Sequence, residues 1–227
     1  TPGWLNGDDH FAYVIGYDDG TVRPLDNITR SEVAAIFFRL LRDEVREEYL
    51  TESNTFADVT DGMWHNTAIS TLAAMGILEG RSETCFDPNA PITRAEFAAI
   101  CARFSTEDNV SGTSFTDIKG HWAEKEIQEA ASLGWILGRD DGTFGPDLPI
   151  TRAEAMTMIN RVLCRLPETE DDLLDDMIVW PDNQPDTWYY LAVQEATNSH
   201  DYDWLGSIED WTEKLEERDW EALEKLW

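Results

Sequence analysis

The chain has few cations and few cysteines, and it has no long apolar run. Among its 227 residues, 17 are Lys or Arg and 46 are Asp or Glu, so the formal net charge is -29. A surface this negative repels phosphate backbones and anionic lipid headgroups, so we expect no nucleic-acid partner. No run approaches the roughly 18 apolar residues that span a bilayer, so we expect no membrane insertion.

The three cysteines are far apart, and neither a C-x-x-C pair nor a neighbouring histidine cluster accompanies them; they are Cys85, Cys101 and Cys164. This pattern argues against a disulfide framework and against a structural zinc site. We therefore expect no metal and no cofactor. Large side chains are plentiful, because 10 Trp, 9 Phe and 6 Tyr suffice for a sizeable core.

The sequence contains an internal repeat. Phe56-Ala57-Asp58-Val59 is followed later by Phe115-Thr116-Asp117-Ile118, and four landmarks recur at an offset of 58 residues. The pairs are Trp64 with Trp122, Gly76 with Gly134, Gly80 with Gly138, and Thr93 with Thr151. The second half of the unit occurs once more near residue 16, so this half is present in three copies.

Each unit reads as a helix, a turn-rich loop and a second helix. The second helices carry apolar residues at i, i+3, i+4 and i+7, which predicts that they bury these faces against one another. The predicted repeats are 1–45 (second half only), 54–106 and 113–166, followed by an acidic region at 167–227. Residues 179–198 match a first half and are predicted to complete the first repeat, although an atypical terminal cap explains them equally well.

The acidic C-terminal region ends in widely spaced tryptophans and leucines. The roughly helical spacing from Ile208 to Trp227 predicts a charged amphipathic helix that docks on the rest of the protein. Binding to a partner is the other interpretation of this segment.

The most specific local feature is Thr-Arg-Ser/Ala-Glu at the start of each second helix. A Thr at the N-cap and a Glu three residues later form a capping box, in which hydroxyl and carboxylate each accept a hydrogen bond from a backbone N–H. The predicted capping pairs are Thr29 with Glu32, Thr93 with Glu96, and Thr151 with Glu154.

The arginine of this motif is not explained by capping. At the first helical position the helix dipole disfavours a cation by roughly 0.3 to 1 kcal/mol. Two explanations are open: the arginine pairs with a carboxylate of a neighbouring unit, or it receives an external anion together with the N–H groups of the helix start. The three arginines are Arg30, Arg94 and Arg152.

These motifs resemble the S-layer homology (SLH) domain family over nearly all of residues 10–164. The resemblance rests on the Phe-x-Asp-Val opening, the Trp of the first helix, the loop at residues 16–21 and Ile-Thr-Arg-Ala-Glu. It implies an all-α fold, a pseudo-threefold, three-pronged assembly around a central helical bundle with turn-rich loops. It also implies a noncatalytic module that holds proteins on bacterial envelopes by binding secondary cell-wall polysaccharide, often with pyruvate ketals.

The resemblance also implies a set of ligand contacts. These are Arg30, Arg94 and Arg152, with Trp64, Trp122, Asp19, Gly20, Asp141 and Gly142 lining the grooves. A tryptophan offers a flat apolar face to a sugar ring, although a core position is the more common place for this residue.

The second loop departs from the family pattern, because Glu83-Thr84 replaces Asp-Gly there. The basic residue before the loop proline is present as Arg23, whereas the equivalent positions are Asp87 and Gly145. The groove that uses residues 80–88 is therefore the first candidate for loss.

The resemblance implies an extracellular location in the cell wall or S-layer of a Gram-positive-type bacterium, with an anionic, pyruvylated wall polysaccharide as the partner. An enzyme is disfavoured, because the capping glutamates are already occupied and the four histidines have no Ser or Cys partner at suggestive spacing. The alternative function is a surface module that contacts another protein or a host receptor through the diverged loops or the Trp-rich C-terminal region.

Overall fold

The computed structural model describes residues 1–107 and 115–224, and these residues form two compact units. The larger unit consists of Pro2–Leu5, the described parts of Asn27–Ile150, and residues 220–224. Its helices are α1 (Arg30–Leu40), α2 (Asp43–Tyr49), α3 (Asn66–Ala74), α4 (Arg94–Arg103), α5 (Glu124–Ser132) and the short α8 (Trp220–Leu223).

The core of the larger unit is built on the apolar faces of these helices. Helix α1 packs against α3, and α4 packs against α5. The Phe37 ring of α1 lies 6.0 Å from the ring of Phe97 and 5.3 Å from that of Phe104, so aromatic contacts join the two second helices of this unit. All three rings are buried.

A closed set of backbone hydrogen bonds joins the three segments that precede the Thr-Arg-x-Glu motifs. The N–H of Ile28 donates to the carbonyl of Ile150 (3.1 Å), Ile92 donates to Ile28 (3.0 Å), and Ile150 donates to Ile92 (3.2 Å). All three isoleucines are at most 1% exposed. The repeated sequence therefore produces a repeated interaction, in which each segment before a Thr-Arg-x-Glu motif supplies one backbone donor and one backbone acceptor.

The split unit consists of Thr1, Asn6–Asp26 and Thr151–Asp219. Its elements are α6 (Arg152–Leu163), a short 3-10 turn (Glu170–Asp172), α7 (Tyr190–Thr197), β1 (His200–Leu205) and β2 (Ile208–Lys214). Helix α7 packs against α6. The Asn160 side chain of α6 accepts a hydrogen bond from the Tyr13 hydroxyl and donates one to the carbonyl of Ala192 (3.0 Å).

The prediction of an all-α fold is wrong, because β1 and β2 form an antiparallel hairpin and the protein is mixed α and β. Leu205 pairs with Ile208, and the two-residue loop between them begins at Gly206, whose φ of +72° favours glycine. The predicted helix from Ile208 to Trp227 is wrong for the same reason, because its first part is β2. Residues 113–114 of the predicted third repeat and residues 225–227 lie outside the described residues.

Among the described residues, none of the helices combines the length and apolar character needed to cross a lipid bilayer.

Candidate functional site

The three Thr-Arg-x-Glu motifs start α1, α4 and α6 with the same capping geometry. At α4, the Thr93 hydroxyl accepts a hydrogen bond from the N–H of Glu96 (3.1 Å), and the Glu96 carboxylate accepts one from the N–H of Thr93 (3.1 Å). Reciprocal pairs are also present between Thr29 and Glu32 and between Thr151 and Glu154. These bonds satisfy backbone donors that the first turn of a helix leaves without intrahelical partners.

The arginine after each capping threonine is buried against a loop. Arg30 is 5% exposed, and its guanidinium donates to the carbonyls of Phe86 (2.9 Å) and Glu79 (2.9 Å) and pairs with the Glu96 carboxylate. The guanidinium carbon also lies 4.5 Å from the centre of the Phe86 ring. The planar, multi-donor head of arginine therefore holds the loop in place.

Arg94 and Arg152 make matching contacts, each with the loop of another predicted repeat. Arg94 Nε donates to the carbonyl of Phe144 (2.7 Å), and its guanidinium lies 4.7 Å from the centre of that ring. Arg152 Nε donates to the carbonyl of Val22 (3.0 Å), and its guanidinium lies 4.9 Å from the centre of the Tyr17 ring. The structure thus places all three predicted ligand arginines where they bind carbonyl oxygens of the protein.

Arg30 also lines a groove of about 410 Å³ in the larger unit. The lining includes two further arginines, Arg81 and Arg103, and the ring of Trp122, which is 58% exposed. This volume falls in the range of small-ligand sites, roughly 300 to 1,000 Å³. Several guanidinium groups beside an exposed aromatic ring suit a ligand that carries an acidic group on an apolar ring face.

The more accessible arginines of the groove pair with exposed carboxylates. Arg81 lies 2.7 Å from Asp87, and Arg103 lies 3.1 Å from Glu79. The side chains of Asp87 and Glu79 are 47% and 70% exposed, whereas Glu96, which also pairs with Arg81 (3.1 Å), is 14% exposed. Such exposed pairs contribute only about 0 to 1 kcal/mol, because water screens the attraction. A carboxylate on a ligand can therefore replace Asp87 or Glu79 at small cost.

Arg30 is held more firmly than these two arginines. Burial, followed by the charge of Arg81, lowers the pKa of Arg30 to about 10, which leaves the guanidinium protonated at neutral pH. Its ion pair with Glu96 is largely shielded from water, and removing one partner of a buried pair leaves an uncompensated charge. Arg30 therefore adds positive potential to the groove from a fixed position.

The sequence analysis missed Arg81 and Arg103. The loss of the Asp-Gly turn predicts that the groove at residues 80–88 is the first to fail, yet this loop carries Arg81 and lines the groove described above. Arg103 is the last residue of α4, where a cation is already explained by the helix dipole. One sequence signal could have found Arg81. Cations are rare in this acidic chain, so an arginine in a loop that no motif explains is a candidate for ligand binding.

The predicted loop residues form turns. The Asp19 carboxylate accepts hydrogen bonds from the N–H (3.0 Å) and the hydroxyl (2.6 Å) of Thr21, and these bonds, with one from Arg23, lower the pKa of Asp19 to about 2. Asp141 bonds Thr143 in the same way. The adjacent glycines are left-handed, with φ of +80° at Gly20 and +81° at Gly142. A ligand contact by these four residues stays a prediction.

The aspartate of the Phe-x-Asp motif organises the loop next to the groove. The Asp58 carboxylate accepts from the N–H groups of Phe86 (2.9 Å) and Asp87 (2.7 Å). Although partial burial acts in the opposite direction, these two bonds lower the pKa of Asp58. Asp87 has a left-handed φ of +61°, and the equivalent Gly145, with φ of +69°, bonds Asp117 through its N–H (2.8 Å).

The repeated tryptophans lie on the surface. Trp64 and Trp122 are each 58% exposed, and Trp188 is 67% exposed. Their exposure excludes the alternative that they are core residues. Each of these three tryptophans is therefore accessible to a ligand, and Trp122 lines the groove that contains Arg30, Arg81 and Arg103.

Comparison with known proteins identifies the repeat. The family model for the S-layer homology domain matches residues 12–34, 55–98 and 114–156. The chain is 36% identical to cell surface glycoprotein 1 of Acetivibrio thermocellus over 94% of this chain and 9% of that protein. It is 34% identical to the cellulosome-anchoring protein of the same organism over 86% of this chain and 44% of that protein.

A third relative has the name of an enzyme. The amylopullulanase of Thermoanaerobacterium thermosulfurigenes is 35% identical over 66% of this chain, but the match covers only 8% of that protein. The chain thus spans less than half the length of each of these three relatives.

Proposed function

The matched segments of this chain belong to the S-layer homology domain family, and we propose that the chain is a noncatalytic module that anchors a protein to the bacterial cell wall. The predicted extracellular, wall-associated location agrees with the family and with relatives named for the cell surface and for anchoring. The match to an enzyme covers a small fraction of that enzyme, which supports an anchoring role rather than a catalytic one.

We propose further that the ligand is an anionic wall polysaccharide with pyruvate ketals, bound in the groove that Arg30, Arg81 and Arg103 line. One observation supports this ligand most strongly: Arg81 and Arg103 share one cleft with the exposed ring of Trp122. A pyruvate ketal presents a carboxylate on a sugar ring, so the guanidinium groups receive the charge and the indole covers the ring face.

The arginines must overcome the repulsion between an acidic protein and an acidic polymer. The net charge of -29 acts over distance, but salt limits its reach to a Debye length of about 8 Å at physiological ionic strength. Inside the groove, Arg30, Arg81 and Arg103 offset the charges of the three acids in the lining, which are Glu79, Glu96 and Asp147, so the lining lacks the net negative charge of the chain. Binding is therefore expected to depend on direct contact in the groove rather than on steering from long range.

The test is sedimentation of the purified chain with cell wall that carries the polymer, compared with wall from which the ketals have been removed. We expect the double variant Arg81→Ala/Arg103→Ala to bind at least tenfold more weakly, because two charge-assisted hydrogen-bonding groups are lost. Trp122→Ala should also weaken binding about tenfold, with little loss of stability because the ring is exposed.

A matched control is Lys214→Ala, which removes a positive charge from β2, outside the groove lining. This variant should bind the wall like the unchanged protein. Equal retention on wall without ketals would contradict recognition of the ketal, and equal retention on wall stripped of the whole polymer would contradict the carbohydrate ligand and favour the alternative partner, a protein. Unchanged binding by the double arginine variant would contradict the groove as the site.

A further inference from the structure

A cluster of four ionisable side chains lies inside the split unit, outside every segment matched by the family model. His10 comes from the N-terminal segment, Glu195 from α7, His200 from β1 and Glu209 from β2. All four are at most 2% exposed, and one ligand atom from each lies within 4.8 Å of the others. Nothing in the proposed wall-binding groove uses these residues.

The nitrogen and oxygen atoms of the cluster converge on one point. Glu209 Oε1 lies 2.8 Å from His10 Nδ1 and 2.9 Å from His200 Nε2, and the two ring nitrogens are 3.2 Å apart. Glu195 contacts both histidines as well, with Oε2 3.3 Å from His200 Nε2 and Oε1 3.6 Å from His10 Nδ1. Two imidazoles and two carboxylates therefore face each other without intervening side chains.

Glu195 has one oxygen that no protein donor satisfies. Its Oε2 accepts a hydrogen bond from the indole N–H of Trp211 (3.0 Å), but its fully buried Oε1 has no hydrogen-bond partner. A buried carboxylate oxygen without a donor is costly, because it has lost its hydration. Burial, with the nearby charge of Glu209, accordingly raises the pKa of Glu195. A proton or a cation at this oxygen would remove the penalty.

The groups around the cluster fix the orientation of its members. His200 Nδ1 donates to the carbonyl of Asn198 (2.8 Å), so the lone pair of the neutral ring lies on Nε2, toward the cluster. The N–H of Leu166 donates to Glu209 Oε2 (2.9 Å), which leaves Oε1 directed at the histidines. Hydrogen bonds of this kind typically orient the ligands of a metal ion.

We propose that His10, Glu195, His200 and Glu209 form a structural binding site for a divalent transition-metal ion, with Zn²⁺ as the best fit. Bonds of about 2.0 to 2.2 Å in a tetrahedron place neighbouring ligand atoms about 3.3 to 3.6 Å apart. The separations given above are 2.8 to 3.6 Å and no pair exceeds 4.8 Å, so small side-chain shifts would bring the four atoms to this geometry. Two carboxylates offset the two charges of the ion, and buried Arg165 adds a further positive charge beside them. The paired imidazoles disfavour Ca²⁺ and Mg²⁺, which prefer oxygen ligands.

The burial of all four ligands points to a structural rather than a catalytic ion, since a catalytic site keeps an open coordination position. An ion at this point would cross-link the N-terminal segment, α7 and both strands of the hairpin. Because the four residues are far apart in the sequence, the site forms only when the split unit is folded, so metal binding would stabilise the fold.

The rival explanation of the cluster is a hydrogen-bonded network without a metal ion, and Arg165 is relevant to it. Its guanidinium is buried next to the cluster, donates to the carbonyls of Asp9 and Phe11 (2.8 Å each), and interacts electrostatically with Glu195 and Glu209. With this positive charge nearby, a metal-free network needs only a proton on Glu195 to be balanced. The substitution Glu195→Gln separates the two explanations, because Gln is neutral and nearly equal in size to protonated Glu.

The experiment uses the full chain, stripped with a chelator and then titrated with Zn²⁺ by calorimetry, with metal content measured by mass spectrometry. We expect one Zn²⁺ per chain and a rise of about 5 °C or more in the melting temperature at saturation. Replacement of Zn²⁺ by Co²⁺ should give the intense visible absorption of a tetrahedral site.

Glu195→Gln should bind Zn²⁺ at least tenfold more weakly and should lose the Zn²⁺-dependent rise in melting temperature. The control His121→Gln alters a histidine outside the cluster, which pairs with Asp147, and should behave like the unchanged chain. The proposal is overturned if the unchanged chain binds no stoichiometric Zn²⁺, or if Glu195→Gln binds it equally well. These measurements do not involve wall polymer, so their outcome is independent of the proposed anchoring function.

Discussion

At the scale of single residues, the arginine of the repeated motif shows how a structural and a binding role overlap. Arg30 donates to two loop carbonyls and pairs with Glu96, while the same guanidinium lines the groove. The two explanations that the sequence left open are therefore compatible at this residue. The protein carboxylate is the partner that the structure provides, and the external anion belongs to the proposed function.

Arg30→Lys should destabilise the protein by about 1 to 3 kcal/mol in chemical denaturation. A lysine has one nitrogen at the end of its chain and cannot reach both carbonyls and the Glu96 carboxylate, so buried acceptors are left without donors. Arg23→Lys is the matched control, because its side chain is 41% exposed and pairs with Asp19, which is 54% exposed. The control should change the free energy of unfolding by less than about 0.5 kcal/mol. Equal effects of the two substitutions would contradict the assigned role of Arg30.

At the scale of elements, the sequence predicted the second helices well because their starting signals are local. The capping threonine and glutamate lie three residues apart, so the hydrogen bonds that define the helix start are encoded within one turn. The hairpin was mispredicted for a physical reason. Glu209 and Trp211 are the buried residues of β2, two positions apart as in a strand, but a buried glutamate is invisible to a search for apolar periodicity.

The capping of α6 can be tested by replacing threonine with alanine at two positions, the N-cap and a position inside the helix. Thr151→Ala should cost about 1 kcal/mol, because the hydroxyl that accepts from the N–H of Glu154 is removed. Thr157→Ala should be neutral or slightly stabilising, since its hydroxyl only adds a bond to the Ala153 carbonyl inside the helix and alanine has the higher helix propensity. Thermal and urea unfolding measure both, and a larger loss at Thr157 would contradict the capping argument.

At the scale of the whole molecule, the sequence identified the family but not the buried cluster. Family motifs repeat with constant spacing, so three copies reinforce one another even where a loop diverges. The cluster has no such signal, because His10 and His200 are 190 residues apart in the sequence and are brought together by folding, through a backbone hydrogen bond (3.1 Å) and a contact between their ring nitrogens (3.2 Å). The prediction of no metal site considered only residues that are close in the sequence, so it did not examine side chains that folding brings together; it stays a prediction.

The prediction that residues 179–198 complete the first repeat concerns the organisation of the whole chain. In the split unit, Asp182 accepts from the N–H groups of Val22 (3.0 Å) and Arg23 (2.7 Å). Asp117 makes the equivalent pair of bonds in the third repeat. The aromatic residue two positions earlier also matches, because a side chain on Gly16 would collide with Trp180, just as one on Gly138 would collide with Phe115.

If these residues complete the repeat, Asp182→Asn and Asp117→Asn should destabilise the protein by similar amounts, about 1 to 3 kcal/mol each. An asparagine has one oxygen, so one of the two N–H groups loses its acceptor and faces an amide donor instead. Amide exchange at Val22 and Arg23 should accelerate in Asp182→Asn and not in Asp117→Asn, which reports the loss locally. Exposed Asp186→Asn is the control and should change neither measurement. An atypical cap that merely covers the end of the repeats would instead tolerate Asp182→Asn with a loss below about 0.5 kcal/mol, because surface substitutions seldom cost more.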